Sequence, residues 1–487
     1  LGADVAALAE RAGHLVEQGA AGASGVGDAA GVQRHMAALD ALAGQGAQGG
    51  QVAGHADRGG YHGQVGAAGG TDGGAGSTAG GTTGTTGGSG SGGGSGTQGT
   101  GANAATGATK AGSCDGFKNQ TGITDKTIVI GNSSDVSGPV PGLFEASQDA
   151  VRAYVAYFNA TSDICGRKLE LKTYDSRTDA AADQQAYTQA CDDTFAMVGS
   201  MSAFDSGGAG TAQGCGLPDL RSASVTADRQ ACTTCFGAQS TQADEFQNAV
   251  PDFVKKNHPD AAAHAAMLYI NAGAAAENGK TQVTAMEKRG MHFDYVQGID
   301  ISEFNYAPYV QQMKDKGVEY VQMIGATAQF VRLAQAMQQQ GFHPEVFMLD
   351  PTAYTRDFVQ SGGDAVEGAT LFINFTPFEE ASSNKELQLY LSWLQQVKPG
   401  AEPSFFGLFS WSAARLFVER ATALGGKLTR ASLIADLRKV DNWTANGMHS
   451  PQHVGPHHTG ECWRFISLQH GRWVPVGGTK YSCSGTS

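Results

Sequence analysis

Residues 127–158 read TIVIGNSSDVSGPVPGLFEASQDAVRAYVAYF. The opening run, Thr127-Ile-Val-Ile-Gly131, is short, apolar and β-branched and closes on a glycine, which is the composition of a strand buried on both faces. Asn132 to Phe144 is rich in Ser, Gly and Pro and reads as a loop. From about Glu145 the apolar residues Ala150, Val151, Tyr154, Val155 and Phe158 recur at helical spacing. Working outward, Leu169 to Tyr174 alternates as a strand does and ends at Asp175. A helix is expected over Asp179 to Asp193 and a strand over Phe195 to Gly199. The order β-loop-α-β-α-β predicts an α/β fold with a mostly parallel sheet covered on both faces.

The pattern then restarts. Ala266 to Ile270 reads as a strand, Ala275 to Arg289 as a helix, Phe293 to Val296 as a strand and Tyr309 to Lys316 as a helix. Tyr320 to Gly325, a helix over Gln329 to Gln340, and Val346 to Leu349 complete the unit. Ser404 to Leu424 is one long helix, with Ser404 a plausible N-cap behind Pro403. Cys462 to Leu468 and Arg472 to Val476 flank Gln469-His-Gly471 as a hairpin. Two α/β units of one rhythm predict two similar lobes. The 374 residues from Cys114 to Ser487 also exceed what one core usually serves.

The formal charge of −13 and the absence of a Lys/Arg cluster exclude a nucleic-acid partner. No apolar run approaches the length that spans a bilayer; Ala261 to Ala276 is interrupted by His264, Asn271 and Gly273. Residues 69–113 are almost wholly Gly, Ser, Thr and Ala and carry too little apolar surface to offset the entropy of ordering. They read as a flexible linker that, as a coil of about 45 residues, has a reach of roughly 35–40 Å. Such a leash suits standoff from a membrane or cell wall. Leu1 to Gly60 shows no basic-then-apolar leader, and residues 1–68 are read as an uninformative, disordered segment. The remainder divides into a first lobe, 114–246 plus 371–441, and a second, 247–370 plus 442–487.

All eight cysteines fall in the patterned part, which predicts an oxidising compartment and up to four disulfides. Cys191 and Cys215 bracket a strand-loop-helix segment, Cys232 and Cys235 could close a small ring, and Cys462 and Cys483 flank the hairpin. Cys114 and Cys165 would then remain for each other, although the spacing leaves other connectivities open. Cys232-Thr-Thr-Cys235 lacks a second CxxC for zinc and does not open a helix as redox motifs do, so a structural disulfide is expected. His449, His453, His457 and His458 lie in a segment broken by Pro451, Gly455 and Pro456. They read as a solvated loop rather than a metal site. No G-x-S-x-G elbow, P-loop or G-x-G-x-x-G follows a strand. No catalytic residue, cofactor or metal is expected.

The quoted stretch resembles the opening of type I periplasmic solute-binding proteins, specifically the branched-chain amino acid (leucine/isoleucine/valine) binding family of ABC transporters. So do GRKLELKTYDSRTD and MVGSMSAFDSGGAG. In the second unit, FNYAPYVQQMKDKGVEYVQMIGATAQFVRLAQAMQQQGF is similar to that family's helix-strand-helix segment, and DAVEGATLFINFTP to its return crossover. The Cys191/Cys215 spacing resembles the family's first-lobe disulfide. The resemblance runs in order over nearly all of 125–487. It implies two lobes joined by three crossing segments and closing as a hinged clam on a small ligand.

Carried over residue by residue, the resemblance places the family's Ser-Gly-Pro turn at Ser137-Gly138-Pro139 and the aromatic wall at Leu143 or Phe144. The hydroxyl that grips the substrate carboxylate falls close to Ala203, with Ser202 beside it and Phe204 following. Later contacts fall at Ser222, Ser224 and Thr226. The second-lobe aromatic falls near Ala326 or Thr327, the ammonium partner near Asp350, and Tyr354 is the nearest aromatic. Asn271 opens another second-lobe loop. Independently of the family, these loops sit at strand carboxyl ends, where open parallel sheets bind ligands. The same hydroxyls also suit turns and helix caps.

The resulting expectation is a monomeric extracytoplasmic substrate-binding component of an ABC importer. It would capture a small organic ligand, an amino acid, amide or small carboxylate, and present it to a permease. A surface-displayed sensor of the same fold and an unrecognised cleft hydrolase are the alternatives.

Overall fold

The computed structural model describes residues 110–487. The readings of a disordered segment at 1–68 and of a linker at 69–113 lie outside the described residues up to position 109. The first lobe alternates strands and helices: β1 Thr127–Ser134, α1 Glu145–Thr161, β2 Lys168–Asp175, α2 Ala180–Asp193, β3 Ala196–Val198, α3 Ser206–Gly214, β4 Asp219–Ala223, α4 Ala227–Ala231 and β5 Cys235–Gln239. The second lobe follows with α5 Ala249–Asn257, α6 Pro259–Ala263, β6 Ala265–Ile270, α7 Gly273–Lys288, β7 Phe293–Ile299, α8 Ala307–Asp315, β8 Tyr320–Ile324, α9 Thr327–Gln339, β9 Val346–Leu349, α10 Arg356–Gly362 and β10 Thr370–Ile373. The chain returns to the first lobe for α11 Lys385–Val397, α12 Phe405–Leu424 and α13 Arg430–Leu437. It ends in the second with β11 Cys462–Gln469, β12 Arg472–Val476 and β13 Ser482–Cys483.

The first sheet has the order β2-β1-β3-β4-β5, all parallel. The second runs β7-β6-β8-β9-β10 in parallel and then adds β11 and β12 antiparallel, with β13 on β11. The five parallel strands of each lobe therefore share one winding, and each sheet reverses direction beside its first strand. The crevice at such a reversal is where doubly wound sheets hold ligands.

β1 runs three residues past the glycine that the sequence suggested as its end. Asn132, Ser133 and Ser134 pair with Thr173, Tyr174 and Asp175, and Ser134 bridges Met201, so ladder bonds on both sides override their loop-like composition. α2 is capped by Asp179, whose carboxylate accepts the Ala182 N–H, and α12 by Ser404, which accepts the Gly407 N–H. Trp411 of α12 is fully buried against Tyr154, Tyr157 and Tyr390 and donates Nε1–H to Glu386 at 2.7 Å, locking α12 and α11 onto α1.

Three segments cross between the sheets: 240–248, 374–384 and 438–461. Thr370–Ile373 pairs within the second sheet, so the second crossing follows Ile373. The crossings are bonded to one another. Gln452 Oε1 accepts from Ser240 N–H at 3.0 Å, Ser450 N–H donates to Asn374 O at 2.8 Å, and Thr376 N–H donates to Met448 O at 2.9 Å.

The four disulfides are Cys114–Cys165, Cys191–Cys215, Cys232–Cys235 and Cys462–Cys483, and no described cysteine is free. The histidine segment departs from a solvated loop. His449 is 2% exposed, stacks on Phe409 and bonds Ser412, while His457 packs edge-on to Phe236. Pro451 and Gly455 shape a crossing that packs against the lobes at His449 and, in part, at His453 and His457, while His458 stays exposed. No described residues form a cluster fit to hold a metal ion, and no described helix is long and apolar enough to cross a membrane.

Candidate functional site

A cleft of about 240 Å³ opens between the carboxyl ends of the two sheets. Each loop singled out above contributes to it: Val140, Leu143 and Phe144 after β1; Met201, Ala203 and Phe204 after β3; Val225 after β4. Across the gap stand Ala272, Ala274 and Ala275 after β6, Gly325 and Ala326 after β8, and Asp350, Pro351 and Thr352 after β9. Phe405 and Phe406 form one apolar corner at the N-terminus of α12. Phe406 meets Phe144 edge-on at 4.6 Å between ring centres. Trp463 and Phe372 close the opposite side, themselves 5.5 Å apart.

Four of the twelve residues read from the sequence line the cleft: Phe144, Ala203, Phe204 and Asp350. The other eight stand outside the lining, most with their side chains bonded within the protein. Ser137 is exposed and donates to Asp175 at 2.5 Å, shaping the loop after β1. Ser202 caps the Phe204 N–H at 3.1 Å, and Ser222 donates to the Phe406 carbonyl at 3.0 Å. Thr226 caps α4 and donates to Asp205 at 2.5 Å. Ser224 is buried; its carbonyl accepts from Gln230 at 2.8 Å, while its Oγ has no hydrogen-bond partner among the described residues. Asn271 is exposed at the sheet edge, its N–H bonded to Ile299 O at 2.8 Å. Thr327 donates to Thr352 O at 3.3 Å. Tyr354 sits in an aromatic cluster with Phe375, Phe378 and Trp473, its hydroxyl on Glu379.

Residues that pattern-reading assigned to helices or connections complete the walls: Asn278, Thr281 and Gln282 on α7, and Gln242, Phe246 and Gln247 on the first crossing. The paired phenylalanines directly after the Pro403-Ser404 cap were the one available signal, since two large apolar side chains at a helix entrance need a surface to face.

Three buried aspartates organise the first-lobe rim. Asp135 is fully buried and accepts from Ser176 Oγ at 2.6 Å, Thr178 N–H at 3.0 Å and Ala203 N–H at 2.8 Å. Burial pushes its carboxyl above the usual range, and those hydrogen bonds only partly offset the push. Asp205 accepts from Val225 and Thr226 N–H at 3.0 and 3.1 Å, and Asp183 from Gly208 N–H at 2.9 Å. On the second-lobe side, burial pushes Asp350 up to about 6 although it accepts the Thr352 N–H at 2.7 Å. Glu245 accepts the Thr459 N–H at 2.9 Å.

The lobes touch at the mouth. Ala274 N–H, at the start of α7, donates to the Ala203 carbonyl at 2.9 Å. Gly273 has φ +51°, and a Cβ there would stand 2.5 Å from Ala203 O and 3.2 Å from the Phe204 ring. Glycine is what lets the two rims meet.

A pair of like-wound α/β lobes, joined by three crossings, thus encloses a mostly apolar cleft lined from both sides. The chain belongs to the periplasmic binding protein family, whose model matches residues 127–472. No curated protein matches the sequence well enough to serve as a relative. Among solved structures it is similar to a leucine-binding protein from Thermotoga maritima (14% identity, 72% of this chain and 98% of that one, TM-score 0.63). It is also similar to a fatty acid ABC transporter substrate-binding protein from Thermomonospora curvata (18%, 76% and 96%, TM-score 0.65). A third is an ABC transporter solute-binding protein from Rhodopseudomonas palustris in complex with 4-hydroxybenzoate (17%, 74% and 98%, TM-score 0.62). At these identities the likeness is one of fold.

Proposed function

We propose that this protein is the extracytoplasmic substrate-binding component of an ABC importer, capturing a small organic ligand between its lobes and presenting the closed form to a permease. The observation that carries the reading is the cleft itself: it lies at the winding reversal of both sheets, is lined from both lobes and is backed by the first and third crossings. Closure around a ligand adds second-lobe contacts and shifts the population toward the form the permease recognises. Four disulfides accord with an oxidising compartment.

The point of attachment supports a tethered arrangement. Gly112 N–H donates to Thr422 O at 3.0 Å, and Gly426 N–H to Ser113 O at 2.7 Å, so the described chain begins against the C-terminal end of α12. The other end of that 20-residue helix carries Phe405 and Phe406 into the cleft. At 1.5 Å per residue the two ends stand about 30 Å apart, so the described chain starts at the end of α12 remote from the cleft.

A thermal-shift panel on the disulfide-bonded protein tests the reading, using amino acids, amides, alcohols, amines and carboxylates. One or more classes are expected to raise Tm in proportion to the logarithm of concentration; a flat response to every class removes solute capture. With a hit in hand, Gly273→Val is expected to wedge the rims apart and weaken binding by roughly tenfold or more. Calorimetry reads this, and unchanged affinity would mean that the Gly273–Ala203 approach plays no part in closure.

A further inference from the structure

The cleft lining contains no Lys, Arg or His, while Glu245 and Asp350 bring two carboxylates to it. The first-lobe N–H groups at the strand ends are already taken by the chain's own oxygens. Thr178 and Ala203 give theirs to Asp135, Val225 and Thr226 to Asp205, and Phe204 to Ser202. An anion entering the cleft would shed its hydration without gaining a cation or any of these donors. The lining already raises the cost of negative charge on its own Asp350, which burial pushes up to about 6.

A second observation points to what does fit. Gln247, 2% exposed, lines the cleft, and its Nε2 has no hydrogen-bond partner among the described residues. Thr178 Oγ1, on the opposite lobe's rim in a residue 6% exposed, is likewise unpartnered. Buried neutral donors left open are costly unless something else completes them. Around them Phe144, Phe406, Ile324 and Trp463 offer apolar surface.

Resting on the solute-capture reading, we infer that the cleft takes an uncharged, largely apolar molecule whose polar end, an amide, ketone or hydroxyl oxygen, is received by Gln247 Nε2 and Thr178 Oγ1. The acyl or aryl body fills the aromatic corner. Asp350 on the lining then acts against carboxylates, whereas Glu245 is engaged by His458 Nδ1 at 3.2 Å and the Thr459 N–H, so specificity includes a repulsive element as well as a fit.

The test is calorimetry on the full chain at pH 7 with ligands matched in body and differing in head: hexanamide, hexanol, hexanoate and hexylamine, then 4-hydroxybenzamide against 4-hydroxybenzoate. The neutral member of each set is expected to bind tighter than its carboxylate by roughly tenfold or more. A carboxylate that binds as well as its amide overturns the inference while leaving solute capture standing. An amine that outbinds the amide likewise overturns it, in favour of a cation held by Asp350. Silence from every head group removes solute capture and the inference together. Gln247→Met supplies an independent reading. Amide affinity should fall roughly fivefold while the unliganded Tm holds or rises, because a buried open donor has been removed. Unchanged amide affinity in that variant overturns the assignment of Gln247.

Discussion

Replacing Arg229 by methionine is expected to lower stability by about 3–5 kcal/mol, the usual cost of stranding buried carboxylates. Arg229 is fully buried. Its two Nη atoms reach Asp183 and Asp219, each at 2.8 Å, its Nε donates to the Asp205 carbonyl at 2.7 Å, and its guanidinium lies 4.3 Å over the Tyr187 ring. Arg221, also fully buried, stands 3.5 Å from Asp219 and 3.6 Å from Asp205. Two guanidiniums thus face three carboxylates in a dry interior, and losing Arg229 strands Asp183 and leaves Asp219 only the longer contact to Arg221. Urea denaturation at pH 7 reads the loss; a change below about 1 kcal/mol would place the variant among ordinary surface substitutions and refute the role.

The same variant is expected to loosen the ligand. Asp183 holds Gly208 N–H at the start of α3, and Asp205 holds the N–H groups of Val225 and Thr226. The network therefore sets the loops that carry Phe204 and Val225 into the cleft. Arg229→Lys keeps the charge but not the planar fork that serves three acceptors at once. It is expected to fall between wild type and the methionine variant in both stability and affinity, whereas a purely charge-based role would make lysine equivalent to arginine.

The course of the chain was legible because it rests on local pattern. Apolar β-branched runs at Thr127, Ala266 and Tyr320 become central strands because both faces of each sheet are covered, and that burial needs no knowledge of partners. The residues around Asn132 were misread for a corresponding reason: their polarity suits a loop, and only the ladder bonds on either side of β1 show that the strand continues. Strand ends facing the cleft also followed from topology, which is why every loop named beforehand reaches it.

Individual pocket contacts were less legible. A Ser or Thr at a strand-helix junction is chemically as fit to cap a backbone N–H as to greet a ligand, and at Ser202 and Thr226 the cap prevails. Nothing local marks Asp135 as the acceptor for Ala203, 68 residues away. The contributions of Phe246, Gln247 and Trp463 depend on where the first crossing and β11 pass behind the cleft, a tertiary fact with no periodic signature.

His449 should make the hinge acid-sensitive. Its Nδ1 lies 2.8 Å from the Ser450 carbonyl, which can only accept, so Nδ1 carries the proton. Nε2, 2.8 Å from Ser412 Oγ, then accepts the serine hydroxyl, which itself accepts Trp443 Nε1–H at 2.8 Å. This relay joins the third crossing to α12. Adding a proton at Nε2 would turn two donors toward one serine oxygen and bury a charge, and burial lowers the imidazole from its usual 6.5 to about 4. The unfolded chain therefore binds a proton that the folded one refuses, so this contribution is fully present above pH 6.5 and is lost as pH falls toward 4. Between pH 7 and pH 5 it amounts to about 2 kcal/mol. His449→Gln keeps a neutral donor and acceptor without a titrating group, and comparing it with wild type cancels the other ionisable groups, Asp350 included. The expected result is a stability gap between the two that narrows or reverses by about 2 kcal/mol on acidification across that interval. Urea curves for the two proteins that shift in parallel would show that His449 does not set the acid response.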